Sequence, residues 1–206
     1  MKKSLLLLGV IAALAIGAPA YSQYIYLDAN HDGVNSSADV LTSTSTSVDV
    51  YLNTNHNKAG TTIICNDGVN PLDIASYDII LHTSGSGSVT YGTWTNAMTG
   101  YAQLDPPTVA GPDFGVGYSS PAAFNAAGLY KLGTLAITVT GTPVLSFLST
   151  EPPGIPSFGT GFGSECSGTD NPNTITLGID FTDADGTASS TPVQSTTWGK
   201  IKQLYK

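Results

Sequence analysis

The sequence predicts an all-β protein: a single antiparallel β-sandwich of jelly-roll type, with a short helix only at the C-terminal end. Three observations predict it. Gly, Ser, Thr, Asn, Asp and Pro dominate the composition, and Glu151 and Glu165 are the only glutamates in 206 residues, a balance that suits strands and turns rather than helices. In Ser47-Val48-Asp49-Val50-Tyr51-Leu52 and Thr134-Leu135-Ala136-Ile137-Thr138-Val139-Thr140 apolar and polar residues alternate with period two, as a strand with one buried face requires. Many short β-branched and aromatic runs of this kind, separated by Gly, Pro and Asn, suit a sandwich or jelly roll.

Taken in order, the expected strands are Tyr24–Asp28, Ser47–Asn53, Thr61–Ile64, Ser76–Thr83, Ser88–Trp94, Gly128–Tyr130, Gly133–Thr140, Val144–Ser149 and Thr174–Gly178. Asp105 to Pro121 and Gly154 to Gly168 are rich in Gly, Pro and aromatics without a clear period, and read as long irregular connections lying over the sandwich. One domain is expected over 21–186, followed by a Thr/Ser/Pro spacer over 187–197 and a tail over 198–206. In that tail Trp198, Ile201 and Tyr205 share one helical face, while Lys200, Lys202, Gln203 and Lys206 lie largely off it. A helix so short is marginal in water alone. It is therefore a docking element, a sorting tag or a cap on this chain's own sandwich.

The other end is an address. Lys2 and Lys3 precede an apolar run from Leu5 to Ile16, and small residues follow at Ala18 and Ala20, the order of a cleavable signal peptide over 1–20. A membrane anchor is the alternative, but an apolar core of about 12 residues falls short of the ~20 that span hydrocarbon. The expected location is extracellular or at the cell surface. Removing Lys2 and Lys3 takes the formal charge from -8 to -10, and the chain has no arginine. Nucleic acid and anionic membranes are therefore poor partners. Cys65 and Cys166 are the only cysteines, and in an oxidising compartment they are expected to pair. Two free thiols or a metal pair are the alternatives, with no CxxC to favour zinc.

One segment carries recognisable chemistry. Asp28-Ala29-Asn30-His31-Asp32-Gly33-Val34-Asn35-Ser36-Ser37-Ala38-Asp39 places oxygen-bearing residues at positions 1, 3, 5, 9 and 12 of a twelve-residue loop, with glycine at 6. Calcium wants six to eight hard oxygen ligands, and the bend at position 6 needs unusual backbone angles. The expected ligands are the side chains of Asp28, Asn30, Asp32 and Asp39, the Val34 carbonyl, and Ser36 directly or through water. An Asx-rich turn without an ion is the competing reading. Asp180, Asp183 and Asp185 form a possible second metal cluster, and Asn53 to Asn57 reads as a turn. His31 falls at a non-ligand position of the loop and reads as a solvated residue.

At these loop residues the chain resembles the dockerin calcium loop of cellulosomal proteins, which also ends in aspartate. It differs in carrying its valine at loop position 7, in having no amphipathic helix after Asp39, and in having no second such loop, which points to a stand-alone calcium loop. The strands from Ser76-Tyr77-Asp78-Ile79-Ile80-Leu81 to Leu132-Gly133-Thr134-Leu135-Ala136-Ile137-Thr138-Val139 resemble the cohesin and carbohydrate-binding-module type of β-sandwich. That resemblance implies a nine-stranded jelly roll and a binding role, and it transfers no site residues.

Catalytic motifs are missing: there is no GxSxG and no HExxH, and the histidines are His31, His56 and His82. No enzyme is expected. Tyr91, Trp94, Tyr101 and Tyr118 are candidates for a flat aromatic platform under sugar rings, with core packing as the alternative. The expected function is a non-catalytic, calcium-stabilised extracellular binding or scaffold domain for polysaccharide or a cell-surface partner. Its alternatives are a structural subunit of a surface layer, fibre or adhesin and, further off, a glycan-active enzyme.

Overall fold

The computed structural model describes residues 24–56, 60–62, 64, 72–120, 126–156, 159–163 and 187–189. The signal segment 1–20, Cys65 and Cys166, the expected strand at Thr174–Gly178, the aspartates at 180, 183 and 185 and the tail 198–206 lie outside these residues.

The described residues contain eight strands and no helix: β1 (Tyr24–Asp28), β2 (Ser47–Asn53), β3 (Ser76–Asn96), β4 (Ala102–Ala110), β5 (Asp113–Ser119), β6 (Leu129–Phe147), β7 (Gly161–Gly163) and β8 (Thr187–Ser189). Every pairing is antiparallel. The order is β1-β2-β6-β3-β5-β4, with β7 added beside β3 and β8 beside β6.

β1 and β2 occupy the expected spans. Elsewhere several Gly and Pro residues lie within strands rather than ending them. Ser76–Thr83 and Ser88–Trp94 are one strand, since the ladder to β6 continues through Gly85↔Pro143 and Gly87↔Gly141. The three short strands expected between Gly128 and Ser149 likewise merge into β6. Asp105 to Pro121, expected to be irregular, is mostly the hairpin β4–β5. Pro106 and Pro107 are tolerated there because β4 is an edge strand, where a missing N–H faces no neighbour. At Thr61–Ile64 the described pairing is the isolated bridge His56↔Thr62. The expected spacer opens instead with β8, paired to β6 through Val144↔Ser189.

β3 and β6 are not straight. Phe114 of β5 lies opposite Leu81 of β3, yet its ring centroid is 6.3 Å from that of Trp94 and 5.6 Å from that of Tyr91, both further along β3. A straight strand would separate Leu81 from Trp94 by about 40 Å at ~3.3 Å per residue. The Tyr77 hydroxyl also donates to Asn96 Oδ1 at 2.7 Å, joining the two ends of the same strand. The sheet therefore folds back over its own face, and the crease is Gly85 and Gly87 on β3 against Gly141 on β6. Gly87 has φ 153 and Gly141 φ 71. A Cβ on Gly87 would drive into the Thr140 carbonyl oxygen, and one on Gly141 into that of Ser86.

One continuous core fills the fold. Ile25, Leu27, Val48, Val50 and Leu52 of β1 and β2 and Leu132, Leu135 and Ile137 of β6 face Tyr77, Ile79 and Leu81 of β3 and Phe114 and Val116 of β5. Each fully buried aliphatic or aromatic side chain contributes about 1.5–3 kcal/mol relative to exposure. Residues 148–156 and 159–160 lie on the outer side of the β3–β5 half. Ile155 fills the space above Gly115, and the Thr160 hydroxyl bonds both the amide and the carbonyl of Ile80.

The crease is testable. Gly87→Ala combines a backbone angle open essentially to glycine alone with a backbone clash, and is expected to lower unfolding free energy by roughly 2–4 kcal/mol. Gly111→Ala, at φ 62 with nothing within 4 Å of the new Cβ, is expected to lower it by about 1–2 kcal/mol. Urea denaturation of both variants measures the difference.

Candidate metal centre

The loop from Asp28 to Asp39 leaves the end of β1 and lies across the outer face of β1 and β2. Strand alternation sends Ile25 and Leu27 into the core and Tyr24, Tyr26 and Asp28 outward. Tyr26 pairs with Tyr51 and Asp28 with Asp49. The outward rings form a ladder, with Tyr24 and Tyr26 centroids 5.1 Å apart and Tyr26 and Tyr51 centroids 5.2 Å apart. The loop seals over them. The Tyr26 hydroxyl donates to the Gly33 carbonyl at 2.7 Å, so Tyr26, Asp28 and Asp49 are buried although they face away from the core. Burial pushes the Tyr26 phenol far above its ordinary range, and the neighbouring Tyr24, Tyr51 and Asp28 act in the same direction.

Inside the loop the carboxylates organise the backbone. The amides of His31 and Gly33 donate to Asp28 Oδ1 and Oδ2 at 2.6 and 2.8 Å. Those of Ala29 and Ser36 donate to Asp39 Oδ1 and Oδ2 at 3.0 and 2.8 Å. Asp32 accepts from the Val34 amide at 2.8 Å and from Asn30 Nδ2 at 3.0 Å, while Ser36 Oγ accepts from the Ala38 amide at 3.1 Å. Gly33 takes φ 76 as the bend demands, and His31 takes φ 63 beside it.

The six expected ligands thus fall into two groups. Asp28 and Asp39 are buried beneath the loop, whereas Asn30, Asp32, Val34 and Ser36 sit on its exposed rim. Among the described residues no three Asp, Glu, His or Cys side chains converge closely enough to hold a metal ion, so Asp28, Asp32 and Asp39 are not drawn into one carboxylate set. A calcium shell here would need amide, carbonyl and hydroxyl oxygens from Asn30, Val34 and Ser36. The carboxylate oxygens each retain a lone pair beyond their amide bond. The chemistry of the buried pair fits a cation. Burial raises the Asp39 carboxyl, amide bonds from Ser36 and Ala29 lower it, and the charge of Asp28 raises it again, with a net upward shift. Among the described residues the lysine and histidine side chains in ion-pair contact with a carboxylate are Lys131, His31 and His82, and their partners are Asp49 and Asp113. None sits on Asp28 or Asp39.

His31 has a partner that the sequence did not announce. Its Nδ1 lies 3.1 Å from Asp49 Oδ2 and its Nε2 3.2 Å from Ser47 Oγ. Lys131 Nζ donates to Asp49 Oδ2 and Thr134 Oγ1 to Asp49 Oδ1, each at 2.6 Å. Burial alone would raise the Asp49 carboxyl, but Lys131, Thr134 and His31 together hold it below its ordinary value. This cluster ties the loop to β2 and β6. The available signal was a lone carboxylate on the outward side of β2, between Ser47 and Tyr51.

The expected aromatic platform divides into packing residues. Trp94 and Tyr101 belong to the core, and Tyr91 and Tyr118 pack against it. Tyr91 and Trp94 lean on Phe114, while Tyr101 and Tyr118 lean on Tyr77, so the four rings share no exposed plane. Tyr91 donates to the Pro112 carbonyl at 2.7 Å, and burial pushes its phenol up to about 12. Trp94 Nε1 is buried without an acceptor.

Asp49 and Asp39 act oppositely with pH. Asp49, held low, stabilises the fold above its unfolded value near 4, and that contribution is lost as pH falls through its depressed folded value. Asp39, held high without a cation, gives its contribution below its unfolded value and loses it as pH rises through the folded one. Asp49→Asn is expected to cost about 1–2 kcal/mol at pH 7, since Lys131 is partly solvated. The loss should shrink toward pH 3, as read by urea denaturation at both pH values. No protein-family model, curated protein or solved structure matches the chain.

Proposed function

We propose that this chain is an exported, calcium-stabilised binding or scaffold domain, a jelly-roll β-sandwich of the cohesin and carbohydrate-binding-module type. Met1 to Ala20 serve as its leader, and a Cys65–Cys166 disulfide closes the mature domain. The observation that carries the calcium reading is the buried pair Asp28 and Asp39. Two carboxylates share a desolvated site, one of them shifted upward, and no side-chain cation among the described residues balances them. A divalent ion held by Asp28, Asn30, Asp32, the Val34 carbonyl, Ser36 and Asp39 would neutralise the pair and fix the loop on its tyrosine bed.

The partner on this reading is polysaccharide or an extracellular or cell-surface protein. The packing of Tyr91, Trp94, Tyr101 and Tyr118 into and against the core favours a protein partner over sugar stacking. That supports the second reading, a structural subunit of a surface layer, fibre or adhesin.

Calcium at about 100 times its dissociation constant adds ~2.7 kcal/mol to a protein that binds it only when folded. The melting temperature is then expected to rise by roughly 5–10 °C over that in chelator. Asp39→Asn is expected to abolish the rise. Terbium should luminesce on tyrosine excitation, because Tyr26 bonds the loop directly. A melting curve indifferent to calcium, together with a dark terbium titration, would sink the proposal.

A further inference from the structure

On the outer face of the other half of the sheet, three adjacent strands place an aspartate, a histidine and a serine in one row. His82 of β3 lies opposite Asp113 of β5 on one side and opposite Ser146 of β6 on the other. Directly opposed residues share a face of an antiparallel sheet, with Cβ atoms about 4.5–5.5 Å apart. Their neighbours Leu81, Phe114 and Phe147 point into the core, so all three side chains point outward. His82 Nδ1 is 2.6 Å from Asp113 Oδ1. An ionised carboxylate only accepts, so in a neutral ring paired with one, Nδ1 is the donor and Nε2 keeps its lone pair, the tautomer of a general base. Among the described residues neither His82 Nε2 nor the Ser146 hydroxyl has a hydrogen-bond partner, and both residues are half-exposed. Asp113 is nearly buried, and its position is fixed from behind. The carbonyl of the preceding Pro112 accepts from the Thr83 amide at 2.8 Å and from the Tyr91 hydroxyl at 2.7 Å.

We propose that Ser146, His82 and Asp113 form a nucleophile, base and orienting acid that accept acyl groups from activated carboxylic esters. Ser146 Oγ bonds to the ester carbonyl carbon as its proton passes to His82 Nε2, directly or through one water. Asp113 holds the ring and balances the imidazolium. The tetrahedral adduct collapses, the carbonyl carbon parts from the alcohol oxygen, and that oxygen leaves with the proton from Nε2. Water then attacks the acyl-serine, giving one proton to Nε2 and releasing the carboxylic acid, and Oγ recovers its proton from Nε2. The amides of these interior strands are paired in the ladder, so the row has no backbone oxyanion donors, which elsewhere contribute about 10²–10³ in rate. That restricts the substrates to esters with good leaving groups, such as aryl esters, and excludes amides. This chemistry is independent of the calcium loop.

The test uses the folded protein with p-nitrophenyl acetate, in calcium and in chelator. The expected result is an acetyl adduct on the Ser146 peptide by mass spectrometry and nitrophenol release at least tenfold above Ser146→Ala, with a pH profile rising on one ionisation. His82→Gln should lose adduct and rate together, and Asp113→Asn should lose at least tenfold by favouring the wrong tautomer. Circular dichroism and melting curves confirm that each variant is folded, and Ser146→Ala, at a half-exposed position, serves as the arm that keeps the fold. Ser146→Cys should restore adduct formation. An unmodified Ser146 peptide overturns the assignment, as does release unchanged in Ser146→Ala, and release lost only in His82→Gln would make the imidazole itself the nucleophile.

Discussion

The crease in the β3–β6 ladder is the constraint on which everything else rests. One hydrogen-bonded pair runs the length of the molecule, from Asn96↔Gly133 to Leu81↔Phe147, and near its middle it turns over on glycines whose backbone angles other residues avoid. Without that turn Phe114 could not reach Trp94, and the apolar faces of β1, β2 and β5 would have nothing to meet. The turn also creates two outward faces. Each is covered in part: by the loop 28–39 over the tyrosine ladder, and by Ile155 over Gly115 and Thr160 over Ile80. The polar chemistry of the protein sits beneath or beside these covers, where strand pairing sets side-chain spacing and the cover sets exposure.

Electrostatics follows from a chain poor in cations. With no arginine and seven lysines against fifteen acidic residues, most carboxylates must be stabilised by backbone amides, hydroxyls or solvent. Among the described residues Asp49 draws Lys131, Thr134 and His31 to one point, and Asp113 draws His82. Asp28 and Asp39 show the other solution, in which amides satisfy the hydrogen bonds but leave the charge uncompensated. The same two residues were conspicuous in sequence because they bracket the loop.

Legibility in the sequence tracked the range of the interaction. Local patterns were readable: the alternation that makes β1 and β2, and the Asx spacing of the loop. Glycine and proline were ambiguous, because their meaning is set by what lies opposite. Gly115 makes room for Ile155, Gly87 and Gly141 bend a continuing ladder, and Pro106 lies on an edge where no partner needs its amide. Trp94 looked available for a ligand until the fold brought Phe114 against it. The row through Ser146, His82 and Asp113 has no sequence spacing to notice, since only strand register makes its members neighbours. His31 was hidden for the same reason, with its partner Asp49 one strand away.

The long seam also governs how the chain reaches this state. Its partners are 37 to 66 residues apart, so loop-closure entropy opposes pairing until much of the chain has collapsed, and high contact order of this kind places folding in the slow, millisecond-to-second range of β proteins. Among the described residues the β4–β5 hairpin, which closes through Gly111 and Pro112, is the tight local pairing of two strands. During that interval the apolar strands β2, β3 and β6 stand unpaired, and the high negative charge keeps separate molecules apart while they do. A protein that is slow to close its central seam stays threadable for longer, and on the proposed reading of an exported chain that delay would suit passage across a barrier before folding.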